Sequence, residues 1–248
     1  GTLTYDALNN LTTYSDTRSN QQQDVYDATG NRILQRSTSA GKTTLAVTVF
    51  GLEEYDYSGT GTLSSQLHYY TLAGYLIGSF DGTNTTYYLA DALGSVLTSL
   101  SQSAILGEQI YGPYGNSRYM MGNINTAKGY TGQLRDAVTG LDYYNARYYD
   151  PVVGVFLSVD SVQGNAKGCN PYLYVAGNPE TLTDPTGQMF TPSRGGSGGQ
   201  DLSPQVFAVD ATAYYNHTAP TLRKSGLPPM LYLKLYHQKA YTLSLIHI

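Results

Sequence analysis

Residues 130–187 read YTGQLRDAVTGLDYYNARYYDPVVGVFLSVDSVQGNAKGCNPYLYVAGNPETLTDPTG, and the reading of the whole chain turns on this stretch. Gly, Pro, Asn and Asp recur here too densely for a helix. Gly and Pro cost about 1 and about 3 kcal/mol in a helix interior, and Asn and Asp draw the backbone into turns. Between the turn residues lie short extended runs rich in Tyr, together with an arginine and several aspartates. A tandem array leads into the stretch, and a tail of different composition follows it.

The array is an internal repeat. Tyr5-Asp6-Ala7-Leu8-Asn9-Asn10 and Tyr26-Asp27-Ala28-Thr29-Gly30-Asn31 are the same unit, and the Tyr-to-Gly spacing returns at Tyr70/Gly74 and Tyr111/Gly115. Ala90/Gly94 keeps Asp91 while losing the Tyr, Tyr55-Asp56-Tyr57-Ser58-Gly59 fits out of phase, and a unit near residue 48 is degenerate or skipped. Such a unit reads as a β-hairpin. Tyr closes a strand, Asp caps the turn through its own backbone, and Gly takes positive φ, for which Asn9 is the best substitute. Each hairpin buries one face, so consecutive units must continue one sheet. An open sheet of this kind leaves a raw edge, and the isolated chain is expected to aggregate through it.

Composition agrees with an all-β chain. Tyr occurs 25 times against 5 Phe and no Trp, Gly occurs 27 times, and charged residues make up 13%. That mixture suits pleated, half-buried surfaces and turns, and it excludes disorder driven by charge. A net charge of −4 argues against nucleic-acid binding by the body of the chain. The charge is split: Arg194, Arg223, Lys224, Lys234 and Lys239 against Asp201 and Asp210 leave residues 188–248 at +3. This sets a small basic segment apart from an acidic body. Cys169 stands alone, which rules out an internal disulfide or a Cys-based metal site.

The Tyr-Asp-x-x-Gly-Asn unit resembles the YD repeats of the Rhs family, and residues 129–187 resemble that family's repeat-associated core. The matching positions are Gly129-Tyr130-Thr131-Gly132-Gln133, Asp136, Thr139-Gly140-Leu141, Tyr144, Ala146-Arg147-Tyr148-Tyr149-Asp150-Pro151, Gly154, Phe156, Ser158 and Asp160. They continue through Asn170-Pro171-Tyr172, Tyr174, Asn178-Pro179 and Asp184-Pro185-Thr186-Gly187. The resemblance implies a spiralling antiparallel β-sheet of YD hairpins, part of a hollow shell, closed by a core plug. The expected division is a YD-repeat shell segment over 1–128, the core over 129–187 and a variable C-terminal segment over 188–248.

By the same resemblance the protein is the C-terminal part of a polymorphic toxin, secreted or held at a bacterial cell surface. Its expected partners are its own enclosed C-terminal domain, an immunity protein and a secretion machinery. The family also includes C components of insecticidal toxin complexes, in which the core is an aspartic self-protease, and teneurin shells, which are not toxins. Carried over by position, the family's arginine and two aspartates fall on Arg147, Asp160 and Asp184, and the cut falls between Gln188 and Met189. No cofactor or metal is implied. Two positions depart from the pattern: Val155 where many members have Arg before Phe, and Gln188 where Leu follows Asp-Pro-x-Gly. The first is expected to alter packing or charge around the acids, the second the residue presented for cleavage.

The chemistry stands on its own terms. Two carboxyls held close cannot both ionise, so one stays protonated to serve as acid while the other activates water. A neighbouring arginine holds the base ionised, and a substrate four residues from Asp184 in the same chain needs no binding step. The competing reading is structural: Asp150-Pro151 and Asp184-Pro185 start turns, and Arg147 forms an ordinary ion pair. A rival function is a non-cleaving surface protein whose Tyr-rich repeats bind carbohydrate or a neighbouring cell. In the tail, residues 191–199 have linker composition. Strands are expected over 205–209 and 231–236, and His217 and His237 read as surface histidines.

Overall fold

The computed structural model describes residues 1–160 and 170–192. Cys169, the basic residues of the tail, His217, His237 and the strands expected over 205–209 and 231–236 lie outside the described residues. Twelve strands form one antiparallel sheet in strict sequence order. They are β1 (Thr2–Tyr5), β2 (Leu11–Ser15), β3 (Gln21–Tyr26), β4 (Arg32–Ser39), β5 (Lys42–Val49), β6 (Glu53–Ser58), β7 (Leu63–Leu72), β8 (Tyr75–Phe80), β9 (Thr85–Ala90), β10 (Val96–Leu100), β11 (Ile105–Tyr111) and β12 (Ser117–Gly122). No α-helix occurs among the described residues, and no helix there is long and apolar enough to cross a membrane.

The repeat unit is the turn between strands. Asp6 Oδ1 accepts the backbone N–H of Leu8 and of Asn10 at 2.9 Å each, and Asp27 Oδ1 accepts those of Thr29 and Asn31 at 2.8 and 2.9 Å. Asn9 takes φ 68° where Gly30 takes 86°, as the repeat predicts. Asp16 makes the same turn with Arg18 and Asn20, Ser19 standing at φ 63°. This turn lies at the other end of β2, so one period of the array is two strands and two turns. It is hard to see in sequence because Ser occupies the glycine place.

The Tyr70/Gly74 spacing does not mark this turn. Tyr70 is inside β7, and the connection to β8 is the two-residue turn Ala73-Gly74, both at positive φ. No Asp is there to cap a longer loop. Phe50-Gly51, likewise both at positive φ, joins β5 to β6 and takes the place of the unit missing near residue 48. Tyr55-Asp56 lies within β6 and makes no turn.

Among the described residues β1 and β12 each pair on one side only, so the sheet has two free edges rather than one. Every residue of β12 is exposed, including Tyr119, Met120 and Met121. Beyond Gly122 the chain crosses one face of the sheet. Asn123 O accepts Ser99 Oγ, Asn125 O accepts the Tyr88 hydroxyl, and Lys128 Nζ donates to Gly51 O. Ile124 is buried with Tyr69, Leu76, Tyr88 and Val96 beneath this crossing.

The block that follows forms a second sheet of four short strands, β13 (Leu134–Arg135), β14 (Asp142–Tyr143), β15 (Tyr148–Asp150) and β16 (Val155–Phe156). The pair β17 (Leu182–Thr183) and β18 (Thr191–Pro192) ends the described chain. The tyrosines that look so unusual in composition form the core of the block. Tyr130, Tyr144, Tyr149, Phe156, Tyr174 and Val175 are buried together, with ring centroids such as Tyr149–Tyr174 at 4.6 Å. Their hydroxyls reach partners at the rim, Tyr130 to Pro113 O and Tyr149 to Tyr114 O, which lets a polar ring serve as core.

A polar seam joins the block to the first strands. Arg32 of β4 makes a bidentate pair with Asp136 at 2.6 and 2.8 Å and donates to the Tyr148 hydroxyl. Tyr148 in turn donates to Asp24 of β3. Gln22 Nε2 donates to both Asp24 and Asp136, while Leu11, Leu141, Tyr143 and Tyr148 pack alongside.

Candidate active site at the end of the core block

Arg147 enters β15 from a turn in which Asn145 adopts φ 60°. Its guanidinium lies over the Phe156 ring, 3.7 Å from the centroid, and is almost wholly buried. A buried guanidinium must be satisfied on all sides. Nε donates to Gly187 O and Nη1 to Pro171 O at 3.0 Å. Nη2 faces two carboxylates, Asp160 Oδ2 at 3.1 Å and Asp184 Oδ2 at 3.4 Å. The three residues singled out in the sequence therefore meet at one nitrogen, although 37 positions separate Arg147 from Asp184.

Asp184 sits in a turn built like those of the array. Its Oδ1 accepts the N–H of Thr186 at 3.3 Å and of Gln188 at 3.1 Å, the same second and fourth positions that Asp6, Asp16 and Asp27 bind. Gly187 at φ 72° stands where Gly30 stands in Asp27-Ala28-Thr29-Gly30-Asn31. A Cβ there would run into Tyr144 O, so only glycine fits. One contact is additional: Asp184 Oδ1 also accepts the N–H of Met189 at 3.1 Å. The expected cut, Gln188–Met189, is the peptide that carries this N–H.

Environment separates the two kinds of turn. Asp27 is exposed, and hydrogen bonds from Thr29 and Asn31 pull its pKa down to about 2. Asp184 is buried, and that burial raises its pKa against the opposing pull of Arg147 and the backbone N–H groups. In the array the second carboxylate oxygen is capped by an Asn side chain, as Asn31 Nδ2 caps Asp27 at 3.1 Å. At Asp184 that oxygen faces Arg147 instead. The turn is held to the block by Pro185 O, which accepts Gln133 Nε2 and Asn145 Nδ2, and by Ala146 N donating to Thr186 O.

Val155, the first departure, does not face the acids. Phe156 points into the aromatic cluster beneath Arg147, and neighbouring residues of a strand point to opposite faces. Val155 is instead the cross-strand partner of Asp150. Sequence reasoning missed Phe156 as the platform for Arg147, and it gave no role to Ser158, whose buried hydroxyl has no hydrogen-bond partner among the described residues. It also missed the Arg32–Asp24–Asp136 seam. No cluster of His, Cys, Asp or Glu able to hold a metal ion occurs among the described residues.

Known proteins are similar to this chain in sequence and fold. The family model described as the teneurin YD-shell matches residues 57–174, from β6 through the aromatic core of the block. The chain is similar to the Rhs/YD-repeat family over this stretch. Toxin subunit YenC1 of Yersinia entomophaga is 40% identical over 88 residues, covering 34% of this chain and 9% of the relative. The probable deoxyribonuclease RhsB of Dickeya dadantii is 48% identical over 58 residues, covering 23% of this chain and 4% of the relative. The crystal structure of TcdB2-TccC3 superposes with a TM-score of 0.63 at 25% identity, over 75% of this chain and 10% of the other. The chain spans less than a tenth of the length of these curated relatives.

Proposed function

We propose that this chain is the C-terminal part of an Rhs-type polymorphic toxin, a secreted or surface-held shell that encloses its own C-terminal segment and cuts it free once, between Gln188 and Met189. The observation that carries the reading is the meeting of Asp160 and Asp184 at Arg147 Nη2, with the Met189 N–H on Asp184. Asp160, held at Arg147 Nη2, takes a proton from water. The hydroxide adds to the Gln188 carbonyl carbon, and Asp184, protonated, gives its proton to the Met189 nitrogen as the C–N bond breaks. The products are a Gln188 carboxylate and a Met189 amine. Burial of Asp184 supports the assignment of acid, since it favours the neutral form.

The test is expression of the full-length parent followed by intact mass analysis. A fragment beginning at Met189, absent from Asp160→Asn and Asp184→Asn, is the expected result. An intact wild-type chain would overturn self-cleavage and leave the non-cleaving surface reading.

A further inference from the structure

The bond proposed for cleavage lies within a closed hairpin whose two arms come from opposite sides of that bond. Before it, Leu182–Thr183 form β17; after it, Thr191–Pro192 form β18, paired as Leu182↔Pro192 and Thr183↔Thr191. Between them Phe190 packs against the buried cluster of Tyr130, Tyr144, Tyr149, Phe156, Tyr174 and Val175, as does Leu182 on the other arm. Met189, one residue earlier, is exposed. The segment beyond the bond is therefore anchored to the same aromatic core that supports Arg147 through Phe156.

We propose that Phe190 is a positioning residue for self-cleavage: seated on the aromatic core, it clamps the chain beyond the bond so that the Met189 nitrogen stays on Asp184. This rests on the cleavage reading above and adds to it the requirement that a large apolar side chain stand two residues beyond Gln188. The physical reason is leverage. Asp184 holds the loop as far as Met189 through the N–H groups of Thr186, Gln188 and Met189, and beyond Met189 the chain is held by the β17–β18 ladder and Phe190. Two ladder residues are too few to fix it, since a short isolated pairing is marginal in water. The Phe190 ring, partly buried against the aromatic core, supplies the further apolar hold.

The test uses the full-length chain. Phe190→Ala is expected to slow self-cleavage on the order of 10- to 100-fold, as a small misplacement of reacting groups does. Phe190→Leu should restore most of the rate. Hydrogen exchange in the uncleaved Asp160→Asn background provides the second arm: residues 188–191 are protected with Phe190 and exchange freely in Asp160→Asn/Phe190→Ala. Wild-type rate in Phe190→Ala, or unchanged exchange in the double variant, would overturn the anchor. A wild-type chain that never cuts would sink the cleavage reading, while the exchange arm still decides whether Phe190 clamps the loop.

Discussion

Asp184 Oδ1 accepts the Met189 N–H at 3.1 Å, so a buried carboxyl touches the nitrogen that would leave if the chain were cut at Gln188–Met189. Replacing it by Asn keeps an acceptor for the turn and removes the proton donor. Asp184→Asn is expected to lower self-cleavage of the full-length parent roughly a hundred- to ten-thousandfold. Far-ultraviolet circular dichroism should stay unchanged, because the Asn carbonyl can still accept from Thr186, Gln188 and Met189. A variant that cut at the wild-type rate by intact mass would return Asp184 to a turn-capping role.

The pH profile of cleavage follows from the same burial. Asp184 is raised above the ordinary carboxylate range because it is desolvated, with Arg147 and the backbone N–H groups opposing. As the acid it acts only while protonated, so the rate should fall as pH climbs through its pKa, and cleavage at about pH 5 should outpace cleavage at about pH 8. Timed quenching and mass analysis across that range checks it. A rate that rose with pH would assign the acid elsewhere.

Val155 should be innocent. Its place in β16 pairs it with Asp150, while Phe156, on the other face, lies under Arg147. Val155→Arg would offer Asp150 a cross-strand ion pair worth a few tenths of a kcal/mol, and cleavage should stay within about twofold of wild type. Time courses of the two chains side by side measure this directly.

The array and the block were legible because their chemistry is local. Asp followed by a residue tolerant of positive φ specifies a turn wherever it occurs, which is why Asp6, Asp27 and Asp91 could be read one by one. The Asp16 turn escaped because Ser19 carries the glycine conformation, and Tyr70 misled because Gly74 serves a different, two-residue turn. Arg147, Asp160 and Asp184 came from a family pattern; nothing in their spacing requires them to meet. The equivalence of Asp184-Pro185-Thr186-Gly187 to Asp27-Ala28-Thr29-Gly30 was written in the sequence all along. What could not be read was burial: hydrogen bonds hold the exposed Asp27 near pKa 2, whereas desolvation raises the buried Asp184. Nor could any local rule find the Arg32 seam, whose members Asp24 and Asp136 are brought together only by the docking of block on sheet.

That seam gives the protein a pH-dependent stability of definite sign. Burial pushes Asp24 up from 3.8 to about 6, with Asp136 adding to the effect and Arg32, Gln22 and the Tyr148 hydroxyl opposing it. Asp24 Oδ1 has no hydrogen-bond partner among the described residues, Arg32 Nη1 standing 3.8 Å away. A carboxyl whose pKa is higher folded than unfolded stabilises the fold fully below the unfolded value, and that stabilisation is lost as pH rises through the folded value. A shift of about two units amounts to roughly 3 kcal/mol, lost between about pH 4 and about pH 6. Asp142, buried beside Arg135 and also pushed to about 6, adds a decline of the same sign. Asp24→Asn fixes the seam in its neutral form and should flatten part of that decline, leaving the share due to Asp142. Melting temperatures of the wild type and the variant from about pH 4 to about pH 7 would show the two curves diverging as pH rises. Parallel curves would mean that Asp24 stays ionised in the fold and that Arg32 is paired with both acids.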